Sequence, residues 1–120
     1  MDAVPTHRPE TLAAGLAAFG VRSGSKVAVM AIGDAAALAH RAITVAGCES
    51  LTVPPDAMGV RLSVRLRGVL AVLAAGDEQT RAIGMVAGDL TELSYLWRLD
   101  AGGLDELAAA ASGRLPLAID

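Results

Sequence analysis

The chain is 120 residues long, carries a formal net charge of −3 and is 53% hydrophobic, with a mean hydropathy of +0.49. That length suits a single domain over residues 1–120, and that hydrophobicity excludes intrinsic disorder. The acidic balance offers no footprint for nucleic acid, which needs a basic face, and no apolar stretch approaches the ~18 residues that mark a membrane span.

Residues 6–20 carry the marks of a first helix, with Thr6 or His7 near the N-cap, Pro9 and Glu10 in the first turn and Gly20 at the end. Leu12, Leu16 and Phe19 share one face at i, i+4, i+7 spacing. After a turn over 21–25, the apolar run 26–32 suits a strand buried on both faces. Asp34 is a natural N-cap for a helix over 35–46, which would turn Leu38, Ala42, Val45 and Ala46 to the sheet. Residues 49–53 make the next strand, ended by Pro54 and Pro55 because neither can donate to a ladder.

Val60, Leu62, Val64 and Leu66 then alternate with Arg61, Ser63, Arg65 and Arg67, which is strand periodicity. Residues 69–74 form a second fully apolar strand. Gly76 follows, and Asp77 reads as the N-cap of a helix over 78–88 that buries Ile83 and Val86. A short strand over 94–99 puts Tyr95 and Trp97 on one face and Leu96 and Arg98 on the other. Gly102 and Gly103 turn the chain into a last helix over 104–111, and 113–120 reads as a tail.

Strands alternating with helices predict an α/β fold: one small, mainly parallel sheet with helices on its faces, in a Rossmann-like three-layer arrangement. Phe19, Tyr95 and Trp97 are the only aromatic residues. The core must therefore be built from Ala, Val, Leu and Ile, and part of the apolar surface is expected to need a partner.

Two stretches carry a resemblance. LAAGLAAFGVRSGSKVAVM, residues 12–30, followed by a helix closing in AG and a strand ending in VP, resembles the opening of the adenylate-forming enzymes, the superfamily of acyl-CoA synthetases, adenylation domains and luciferases. AGDLTELSYLWRLDAGGLDELAAAAS, residues 87–112, is similar to a segment of long-chain fatty-acid CoA ligases with an aromatic-rich strand and a GxLDEL helix. Together the likeness spans residues 10–112. Ser25 stands where the superfamily has an acid, Gly33 where it often has Asn, and Thr91 where proline is common. For residues 56–68 the resemblance implies a helix and the alternation implies a strand.

The resemblance also implies that a complete enzyme uses ATP, CoA and Mg. It implies a Ser/Thr/Gly-rich phosphate loop ending in Lys, an adenine-contacting aromatic motif, a ribose-binding Asp and a catalytic Lys in a C-terminal lid. None has a counterpart here, and Lys26 is the only lysine. The expectation is a fragment or truncated relative of an AMP-forming long-chain fatty-acid CoA ligase, with no catalytic residue, metal site or cofactor of its own. Two alternatives come from other classes: an α/β interaction module that homodimerises or docks on a complementary ligase chain, and a non-catalytic nucleotide- or acyl-binding domain.

Individual residues give few openings for chemistry. The strand, Gly33 and Asp34 junction has the order that can hold an anion on free helix N–H groups, so Gly33 and Asp34 are the candidate cofactor-binding residues. Against this, an acid at the cap satisfies those donors and repels phosphate, and one glycine is far from G-x-G-x-x-G. Arg61, Arg65 and Arg67 could meet phosphate, but basic residues beside an apolar strand are expected to face solvent as register guards. His40 has no Cys, His or carboxylate at i+3 or i+4 and is expected to be a half-exposed helix histidine. Cys48 reads as a small apolar residue at the start of a strand. As the only cysteine it excludes an internal disulfide, which fits a cytoplasmic location. Ser23, Ser25, Ser50 and Ser63 lie outside any G-x-S-x-G elbow. Tyr95 and Trp97 make a core anchor or, alternatively, a flat interface patch. The opening MDAVPTHRPE lacks the basic region and apolar run of a secretory leader.

Overall fold

The computed structural model describes residues 7–112, so the capping role expected of Thr6 and the tail expected over 113–120 lie outside the described residues. The elements are α1 (Pro9–Ala18), β1 (Lys26–Met30), α2 (Asp34–Val45), β2 (Glu49–Thr52), α3 (Gly59–Arg65), β3 (Val69–Ala74), α4 (Asp77–Val86), a 3-10 turn (Ala87–Asp89), β4 (Tyr95–Arg98) and α5 (Gly103–Ala111). The strands form one parallel sheet in the order β2-β1-β3-β4. This is the α/β arrangement that the alternating elements predict.

The two central strands, β1 and β3, have apolar side chains on both faces, which is why they read as continuous apolar runs. On one face Val27, Val29, Ala71 and Leu73 pack with residues of α1, α2 and α5. On the other, Ala28, Met30, Val72 and Ala74 pack with residues of α3 and α4. Leu70 and Ala71 both turn to the first face, where the pairing of β3 with β1 slips between Lys26 and Val27. One extra residue in β3 re-aims the strand there, as bulges do.

The layering follows from chain direction. From β1 the chain moves outward over α2 to β2, then returns past β1 over α3 to β3. Parallel crossovers are right-handed almost without exception, so reversing direction requires changing face. That is why α2 covers the first face while α3 and α4 cover the second.

The strand periodicity over 60–67 is overturned, and the helix implied by the resemblance is found. Leu62 and Leu66 are fully buried, whereas Val60 and Val64 are 80% and 54% exposed. Spacing of four residues satisfies a two-residue and a 3.6-residue period alike over so short a run, and what looked like one alternating face is two opposite sides of α3. Two further expectations change. Gly33 and Gly76 hold the N-cap positions at φ 99° and 102°, and Asp34 and Asp77 are the first helical residues, with no side-chain capping bond. The sharp turn from strand to helix needs a φ that glycine adopts freely, and the acids move one place inward, where the helix dipole still favours them. Val45 is exposed, because the buried stripe of α2 runs through Ala36, Ala39 and Ile43 and leaves it at the margin.

Small residues set the close contacts. At Gly15, α1 meets α5 so tightly that a Cβ would overlap the Leu107 carbonyl, whereas a Cβ on Gly84 of α4 would meet nothing within 4 Å. Gly15→Ala should destabilise the fold by about 1–3 kcal/mol through overpacking, and Gly84→Ala should stabilise it by about 0.5–1 kcal/mol through helix propensity. Urea denaturation of both variants checks this, and shifts of the same sign would contradict the packing described.

Candidate functional site

In an open parallel sheet, ligands bind outside the carboxyl ends of the strands where the strand order reverses direction. Here that point lies between β1 and β3, and it is bordered by Gly33 and Asp34 at the start of α2 and by Gly76 and Asp77 at the start of α4. The candidate residues Gly33 and Asp34 are thus placed at the position where a ligand would be sought. Both are exposed, and the space beside Gly33 is open.

The second border is already occupied by the protein's own charges. At the carboxyl end of β4, Arg98 Nε and Nη2 donate to Asp100 Oδ1 and Oδ2, both at 2.8 Å. Arg98 Nη1 lies 3.1 Å from Asp77 Oδ1, and the Gly76 N–H donates to Asp100 Oδ2 at 3.0 Å. Asp100 therefore occupies the helix-end donor that an incoming anion would use. The two-pronged guanidinium bond holds its carboxyl at about 2, and the same bond pushes Arg98 further up from its already high value. Gln79 Nε2 donates to the Pro55 carbonyl at 3.0 Å, which ties the start of α4 to the loop after β2.

These groups do not fit ATP with Mg. A triphosphate here would face Asp34, Asp77 and Asp100, with the nearest guanidinium engaged by two of them. Lys26 begins β1 and so stands at the amino edge, the opposite end of the sheet. Among the described residues no group of three or more His, Cys, Asp or Glu could hold a metal ion. Transferring an acyl group to a nucleotide needs donors and cations aimed at the reacting phosphate, and this edge presents carboxylates.

The remaining candidates are placed as follows. Trp97 is 3% exposed and stacks on Tyr95, with ring centroids 5.1 Å apart and an interplanar angle of 5°. Phe19 meets both rings edge-on, and the Tyr95 hydroxyl donates to the Phe19 carbonyl. The pair thus pins β4 to the end of α1. Cys48 is half-buried with its thiol 3.3 Å from the Arg22 carbonyl, and burial pushes that thiol up, away from the thiolate a nucleophile needs. Arg61, Arg65 and Arg67 face solvent, from α3 and the residues after it.

Two clusters were missed from sequence. His40 hydrogen-bonds the Ser50 hydroxyl through Nδ1, and its Nε2 lies 3.4 Å from Thr52 Oγ1. Ser50 and Thr52 share one face of β2, a period-two signal that could have been read as polar cover for an edge strand. The Arg98 and Asp100 pair had its own signal, an Arg-x-Asp straddling the end of a strand.

The fold defined so far is a three-layer α/β unit with a parallel sheet. No family profile matches the chain, and no curated protein sequence matches it. Solved structures do. The chain superposes on a long-chain-fatty-acid-CoA ligase from Archaeoglobus fulgidus with a TM-score of 0.78 and 15% identity, over 89% of this chain and 22% of that one. It matches MatB from Rhodopseudomonas palustris with a TM-score of 0.67 and 21% identity, over 88% and 21%. It matches a fatty acyl-adenylate ligase from L. pneumophila with a TM-score of 0.59 and 20% identity, over 85% and 18%. The chain therefore shares its fold with part of these proteins, as the resemblance drawn from residues 12–30 and 87–112 implies. It spans about a fifth of the length of these three chains.

The charge network gives a pH prediction. Asp100 has its carboxyl lowered on folding, so its contribution to stability is complete above about pH 4 and is lost as pH falls toward 2. Asp100→Asn should lower Tm by a constant amount above pH 4, and the gap between variant and parent should close as pH approaches 2. Thermal melts from pH 2 to 7 check this, and a gap that widens on acidification would contradict it.

Proposed function

We propose that this chain is a fragment or truncated relative of an AMP-forming long-chain fatty-acid CoA ligase, equivalent to the N-terminal scaffold of such an enzyme and catalytically silent on its own. The supporting observation is a fold shared with about a fifth of several ligase chains, together with a switch point lined by carboxylates where nucleotide phosphates would otherwise be met. Its function in this reading is structural. A cytoplasmic location accompanies the reading, supported by a single cysteine that can form no internal disulfide.

A second reading, that of an interaction module that homodimerises or docks on a fuller ligase, is favoured by the exposed apolar side chains of α3 and α4. The first reading is tested by incubating the isolated chain with a long-chain fatty acid, ATP, Mg and CoA and measuring pyrophosphate release. The expected result is no release above a protein-free blank. Sustained turnover that survives repurification would overturn catalytic silence.

A further inference from the structure

We draw no further inference here: the strongest candidate, the side-chain cluster of His40, Ser50 and Thr52 between α2 and the edge strand β2, beside a recess lined by Glu10 and Arg41, has its polar atoms engaged with one another and meets both signs of charge in that recess, so nothing in the structure shows what would occupy it.

Discussion

A parallel sheet persists only while both of its faces are covered, and in this chain β1 and β3 carry that requirement almost alone. Apart from Lys26 at the amino edge their side chains are apolar and aliphatic or thioether, without a ring among them, and the closest helix approach is made at a glycine, Gly15. Covering both faces of two strands with short connections allows little choice. The outward crossover takes one face and the returning crossover must take the other. The aromatic trio of Phe19, Tyr95 and Trp97 is gathered at one place, where β4 is fixed to α1, and the rest of the core is aliphatic.

The same topology creates the crevice between the carboxyl ends of β1 and β3, and there the local chemistry decides what the fold can do. Strand, glycine and helix stand in the order used for binding phosphates, twice. Each junction is followed by an acid, and at the second junction Asp100 accepts the Gly76 N–H that an anion would take. A helix terminus offers a small number of donors and a partial positive charge. One full negative charge already seated there removes the advantage. The edge is therefore held together by its own ion pairs.

Much of the fold was legible in the sequence because buried parallel strands have an unambiguous signature: β1 and β3 are apolar runs bounded by turn residues. α3 was misread for a physical reason. Val60, Leu62, Val64 and Leu66 hold two pairs spaced by four, and a seven-residue helix is too short for the two periods to diverge. Asp34 was read as a cap because the rule ranks Asp above Gly, yet the backbone turn from strand to helix needed φ near +100°, which favours glycine. Gly33 and Asp34 stand at the carboxyl edge of the sheet, where order along the chain alone puts them, and composition decides no role for them. The partners of Arg98, Asp77 and Asp100, are 21 and 2 residues away along the chain (98 − 77 and 100 − 98), and only the adjacency of β3 and β4 brings all three together. Likewise His40 meets Ser50 and Thr52 only because α2 folds back over β2.

The proposal that this unit acts as a scaffold requires that its switch point receive neither a nucleotide nor an acyl group. Thermal-shift titration of the chain with ATP and Mg, with AMP, and with a long-chain acyl-CoA tests it directly, because any ligand that binds the folded state raises Tm by mass action. The account predicts a flat Tm up to millimolar concentrations of all three. A saturable rise with any of them, abolished by a bulky substitution at Gly33, would contradict it.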